Sequence, residues 1–384
     1  MIVLKSIFKW ILIVFSVLVL LLYIFDYDYI LKGVRVVYFT GHTTAFIDDT
    51  PYFDTHTIKK GEKQLWALHS SYNKISATKR LDSTNIALET IAYLIVKNDS
   101  IFFEQYAENY SSKSKTNSFS MSKSIITALL FKAIDEGYIM DLEAPVNQFL
   151  PEISGKYAKE FTVGDLSSMS SGLDWQESYS SPFSITAKTN YDSNIRELML
   201  GLEVDEKPGQ SFKYLSGATQ VLGMVIEKAT QKTLSNYLSE SFWKPMGMSE
   251  EAFWQLDSEE SGLEKAFCCV ASNTRDFARF GQLWMKNGKW NGKQLIPENL
   301  AVKAQMPRFS ESPEYGYGLW LSDYKDKKIT YMRGILGQYV ICIPEDNVMI
   351  VRLGHRRSSP VKNKAGKDFS IYIDEAYNMM NQLD

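Results

Sequence analysis

The chain has 384 residues, 45% of them apolar, enough for one large mixed domain or two closely packed lobes. Charged residues make up 23% and the net charge is −3, so neither a basic surface for nucleic acid nor a solvated acidic tail is indicated. Aromatic residues reach 13%, a share that suits an aromatic-lined cleft and a well-packed core equally.

The N-terminus departs from a globular pattern. Lys5 and Lys9 precede an uncharged run over 10–25, and Asp26 and Asp28 follow it. A helix rises ~1.5 Å per residue, so this run alone falls slightly short of a bilayer. Ile7 and Phe8 extend it, and Lys9 can snorkel to the interface. A cleaved signal would want small residues at its end, and Phe25-Asp26-Tyr27 offers none; no Cys nearby could carry a lipid. The expectation is an uncleaved anchor over 1–25, single-pass in the inner (cell) membrane. The lysine bias leaves the N-terminus cytoplasmic and the remainder periplasmic or extracellular.

An N-terminal extension over 26–84 follows, within which 30–38 reads as a strand or an amphipathic lead-in. The runs 91–97 and 101–106, joined by Asn98-Asp99-Ser100, predict a β-hairpin. A polar stretch leads into a helix over 122–136, with apolar residues at 125, 126, 129, 130, 133 and 134 and Gly137 as its C-cap. Helical periodicity returns over 217–230 and 274–285, with Ser171-Gly172 and Pro208-Gly209 marking loops. Strands are expected over 317–322, 328–333, 338–343 and 348–353, with turns at 323–327 and 344–347, then a last helix over 369–380. Strands at both ends and helices between imply an α/β (α+β) fold. One antiparallel sheet is built from both chain ends and flanked by helices, within a main domain over 85–384 that carries a mainly helical insert at about 138–270.

Three cysteines, Cys268, Cys269 and Cys342, make no disulfide framework. A vicinal bond between Cys268 and Cys269 would need a distorted peptide, so small buried side chains are expected there. Four scattered histidines show no ligand spacing, and neither a metal nor another cofactor is expected.

The chemistry concentrates in three segments. In Ser120-Met121-Ser122-Lys123 the serine sits where a polar loop meets the long apolar helix. Free N–H groups there favour a developing oxyanion, and Lys123, one turn on, faces the same way. An amine whose pKa is lowered by burial can take the hydroxyl proton. S-x-x-K also begins at Ser71, Ser76, Ser112, Ser241 and Ser322, so context carries the argument. The bland alternative is an N-cap with a solvated lysine. The second segment is Tyr214-Leu215-Ser216, behind the Pro208-Gly209 turn and before a helix, although Tyr110, Tyr179 and Tyr191 begin similar triplets. Beside a lysine ammonium the Tyr214 phenol is expected to acidify, which would make it a possible base. The third is Arg333-Gly334-Ile335-Leu336-Gly337-Gln338 between two strands, where glycines allow close backbone approach and Gln338 N–H would be a second oxyanion donor beside Ser120 N–H.

In this order the three segments resemble the penicillin-recognising serine hydrolases, closest to the class C β-lactamase and esterase branch. Phe161-Thr162-Val163-Gly164-Asp165-Leu166, Ser170-Ser171-Gly172-Leu173, the run from Thr274 to Gly281, and Tyr315-Gly316-Tyr317-Gly318 extend the likeness over about 85–380. The resemblance implies an acyl-enzyme on Ser120, proton transfer by Lys123 and Tyr214, Ser216 in the proton network, and Gly337, Gln338 and Arg333 around the substrate. Which of Lys123 and Tyr214 is the base stays open. Ile335-Leu336-Gly337 stands where relatives carry Lys-Thr-Gly or His-x-Gly, so the cation that grips a substrate carboxylate is missing there. An esterase or amidase of less anionic small molecules or peptides is therefore expected first. A D-alanyl-D-alanine carboxypeptidase or β-lactamase comes second, and an inactive binding or sensor module third.

Overall fold

A computed structural model describes residues 2–359 and 365–382. The apolar N-terminal run forms helix α1 (Ile2–Ile24), exposed along its length and long enough to cross a membrane. After four residues the chain enters α2 (Tyr29–Val37). Residues 30–38 are thus mostly helical, because Tyr29, Val36 and Val37 turn one face onto the domain.

The large sheet has seven strands: β1 (Ala67–Leu68), β2 (Thr90–Lys97), β3 (Ser100–Tyr106), β4 (Trp320–Tyr324), β5 (Lys327–Gly334), β6 (Gln338–Ile343) and β7 (Val348–Gly354). Their spatial order is β4-β5-β6-β7-β2-β3-β1. Every neighbouring pair is antiparallel except β1 with β3. The junction of the two chain ends is the β7–β2 pair, with Ile350 opposite Ile95. All of β7 and the interior of β2 are buried, since helices cover both faces of the sheet's centre. Strand β4 begins at Trp320 rather than 317, because Gly318 takes a positive φ of 68° and turns the chain first.

The helices that position the site are α3 (Ser122–Asp135), α4 (Ile185–Tyr191), α5 (Ser216–Thr230), α6 (Thr274–Met285) and α7 (Lys367–Met380). The apolar stripe of α3 suggests one buried face, yet Ser122 to Phe131 is buried all round, packed against α5 and, through Phe131 on Trp284, against α6. The middle of the chain is not wholly helical. A second sheet pairs Thr55–Ile58 with Ala252–Gln255, then Val270–Ser272, then Thr116–Asn117. The extension is thereby stitched into the domain at the far edge of this sheet, and a second stretch of it reaches the segment that leads to Ser120, where Asn117 N–H donates to the Ile47 carbonyl at 2.8 Å.

Candidate active site

Ser120 lies in a single 3-10 turn, Phe119–Met121, that runs straight into α3. Phe119 has a φ of 46°, an unusual conformation for a bulky residue, so the turn must be held from outside. Asn117 does this: its Oδ1 accepts Phe119 N–H at 2.8 Å. Asn117 Nδ2 in turn donates to both oxygens of Asp49, at 2.9 and 3.1 Å, and Gln255 Nε2 donates to Asp49 at 2.7 Å. Burial pushes the Asp49 carboxyl up to about 6, against the opposing pull of these amides and of Lys265. Asp49 belongs to the extension, where an Asp in a loop, next to Asp48, gave no sequence signal.

The amine of Lys123, with the residue only 2% exposed, has three oxygen neighbours: Ser120 Oγ at 3.2 Å, Ser216 Oγ at 3.2 Å and the Phe267 carbonyl at 2.8 Å. Burial lowers its pKa to about 8, partly offset by the charge of Glu177. Among the S-x-x-K lysines in the described residues, Lys123 alone is buried; Lys9, Lys74, Lys79, Lys244 and Lys325 are exposed and Lys115 is half-buried. Glu177 is a second residue that sequence reasoning missed. It accepts Ser216 Oγ and Ser216 N–H at 2.7 Å each and Trp175 Nε1 at 2.7 Å, and the Tyr179 hydroxyl also donates to it. A carboxylate anchored on four donors holds Ser216 oriented toward the lysine.

Tyr214 reaches the same place from the start of α5, its ring stacked on Trp320 at 5.5 Å and lying 5.2 Å from the Lys123 amine. Its pKa is not lowered as expected. Burial raises it well above the ordinary phenol value, and interaction with Ser120 and the charge of Arg333 do not compensate. Phenolate is thus disfavoured at neutral pH. Arg333 stacks over Trp320 at 4.8 Å, on the Tyr214 side of β5.

The third segment divides between the cleft and the strand that follows it. A β-carbon on Gly334 would collide with the Ser118 carbonyl, so it is Gly334 that lets β5 approach the Ser120 turn. Ile335 and Leu336 line the cleft beside Ser120. Gly337 and Gln338 instead lead into β6: Arg352 Nη1 donates to the carbonyls of Leu336 and Gly337, and the fully buried Gln338 side chain pairs with Gly354. Ile335 opens a 3-10 turn, so its N–H has no partner within that turn. Arg357, not anticipated, brings a cation to the cleft lining. Cys268 and Cys269 also line it, buried as expected but joined in a vicinal disulfide rather than free, with Cys269 at a φ of 79°.

A family model described as Beta-lactamase matches residues 79–371. The chain is 25% identical over 307 residues to a 6-aminohexanoate-dimer hydrolase of Paenarthrobacter ureafaciens, covering 74% of this chain and 77% of that protein. It is 26% identical to protein flp of Staphylococcus aureus over 43% of this chain and 34% of that one. Among solved structures, a putative 6-aminohexanoate-dimer hydrolase from Bacillus anthracis shares the fold with a TM-score of 0.75 at 20% identity, over 88% of this chain and 93% of that one. A D-stereospecific amidohydrolase from Streptomyces sp. does so with a TM-score of 0.57 at 17% identity, over 77% and 98%. With its family match spanning most of the sheet and the whole helical lobe, the chain belongs to the beta-lactamase family of serine hydrolases.

Proposed function

We propose that this protein is a membrane-anchored serine hydrolase that cleaves an ester or amide through an acyl-enzyme on Ser120, with Lys123 as the base. The observation that carries this reading is the Lys123 amine, buried and 3.2 Å from Ser120 Oγ. A neutral amine has two N–H groups and one lone pair. Phe267 O and the Ser216 oxygen, whose own proton goes to Glu177, accept the two N–H groups, which leaves the lone pair for the Ser120 proton. With a pKa of about 8, about a tenth of the lysine is neutral at pH 7; with the ordinary 10.5 it would be about 1 in 3,000.

Tyr214, kept as a phenol, is suited to donate a proton to the leaving group and so acts as acid where Lys123 acts as base. Ser216 and Glu177 hold the amine in place. The N–H groups of Ser120 and Ile335 are the oxyanion donors in this scheme; Ile335 is taken in place of Gln338 because it lines the cleft whereas the Gln338 side chain is paired with Gly354. Helix α1 is the anchor, and the catalytic domain lies on the periplasmic or extracellular side. Arg357 in the cleft lining keeps a carboxylate-bearing substrate, such as a D-alanyl peptide, as the second reading.

The test is labelling by a fluorophosphonate in the wild type and in Ser120→Ala and Lys123→Met. Wild type is expected to label, Ser120→Ala not at all and Lys123→Met at least a hundredfold more slowly. Equal labelling of all three rejects the assignment.

A further inference from the structure

The cleft that holds Ser120 has a volume of about 510 Å³, within the range of small-molecule sites. One wall is the catalytic turn; another is α2, through Ile30, Gly33, Val34 and Val37. This second wall lies outside the family match, and only residues 25–28 separate it from the membrane-length helix. It is fixed to the domain at several points. Tyr29 donates to the Pro182 carbonyl at 3.0 Å, Lys32 donates to the Asp257 carbonyl at 2.8 Å, and Lys188 pairs with Asp26. Helix α4 packs beneath. The cleft is therefore held at a set position relative to the anchor, close to where α1 leaves the bilayer.

The chemistry of that wall is apolar where protein does not cover it. Ile30 and Val34 are half-buried and turned to the cavity, while Val36 and Val37 complete the core contact. At the far end of α2, Tyr38 and Phe39 are 61% and 81% exposed, and Phe183, 62% exposed, packs edge-on against Tyr27 beside the anchor. An apolar strip thus continues from the anchor to the cleft mouth and inward along α2, an arrangement suited to a membrane interface.

We infer that the substrate is an amphiphile taken from the membrane surface: its ester or amide carbonyl sits at Ser120, and its apolar chain lies along the inner face of α2. This rests on the hydrolase and anchor readings above and adds the substrate class. Nine residues of helix span ~13 Å, room for a medium-length acyl chain.

The experiment uses the full chain in mild detergent with p-nitrophenyl esters from acetate to laurate, each kept below its aggregation limit. In the wild type kcat/KM is expected to rise about fourfold per methylene, then level once the chain outruns α2. A series that is flat or falls with length overturns the inference. Val34→Trp, which fills the strip, and Ile30→Asp, which charges it, are each expected to cut the decanoate-to-acetate ratio at least tenfold; an unchanged ratio in both overturns the placement on α2. The source is tested in vesicles carrying the protein and a long-chain fluorogenic ester. Turnover at least tenfold faster when both share one bilayer than when the ester is in separate vesicles supports supply from the membrane, and equal rates overturn it. Loss of Ser120-dependent turnover across the whole ester series rejects the hydrolase reading itself, an outcome distinct from an active enzyme with no chain-length preference.

Discussion

Glu177→Gln isolates the electrostatic control of the base. Glu177 meets Ser216 Oγ at 2.7 Å and Lys123 meets the same oxygen at 3.2 Å, so carboxylate and amine lie at most ~6 Å apart. Two unit charges at that distance attract by ~2.8 kcal/mol at an effective dielectric of ~20 and by ~0.7 kcal/mol in water. The corresponding shifts are ~2 and ~0.5 pKa units. Glu177 raises the lysine pKa, so its neutralisation lowers it further, from about 8 to between ~6 and ~7.5. The assay is the pH profile of kcat/KM, which reports groups of the free enzyme. The acidic limb is expected to move down, and the ratio of kcat/KM at pH 6 to that at pH 9 to rise about 3- to 50-fold. The absolute rate is expected to fall, because an amide cannot accept all four donors now on Glu177; the ratio is insensitive to that loss. A limb that stays in place or moves upward refutes Lys123 as the base.

Three further outcomes follow from buried groups. Asp49→Ala leaves the Asn117 and Gln255 amides without their acceptor, at a cost on the order of 2–4 kcal/mol by thermal or urea unfolding, and loosens Phe119; kcat is expected to fall about tenfold with little change in KM. Lys265 is fully buried, its amine over the Phe53 ring and bonded to the Asn190 carbonyl, and burial lowers its pKa to about 7. The unfolded chain therefore binds more protons between pH 7 and 10.5, and stability rises with pH across that window. Lys265→Met is expected to raise Tm most at or below pH 7, with the gain shrinking toward pH 10.5; a gain independent of pH refutes the titration argument. Thiol titration of the denatured, unreduced protein should find Cys342 alone, and all three cysteines after reduction.

The central pair was legible because two independent sequence signals coincide: a serine at a helix start, and a helix apolar enough to bury a lysine one turn on. The instances at Ser71, Ser76, Ser112, Ser241 and Ser322 lack the second signal, and their lysines lie at the surface or half-buried. The sheet was legible for a similar reason, since β2 and β7 sit at its centre and must be apolar through their interiors. The division of the third segment between cleft and strand was not. Ile335-Leu336-Gly337 reads alike whichever residue ends the strand, and the choice is made by Arg352, which captures the carbonyls of Leu336 and Gly337 from β7, the neighbour of β6. Glu177 and Asp49 were invisible because each is a loop carboxylate whose link to the site, Ser216 for one and Asn117 for the other, is 39 and 68 residues away in sequence.

The reversal at Tyr214 carries the most physical content. Expecting a phenolate treated Lys123 as a full positive charge and ignored what placed the two side by side. The burial that brings them together penalises both charged forms, lowering the lysine and raising the tyrosine. Burial thus narrows the gap to a neutral amine beside a neutral phenol, the state that the proposed acylation requires, one group able to take a proton and the other able to give one. Burial is thus what makes an amine of ordinary basicity usable as a base near neutral pH. The same reasoning accounts for Glu177 standing behind Ser216 rather than against the amine: in direct contact it would hold Lys123 protonated, whereas one hydroxyl away it orients the network and leaves the lone pair accessible.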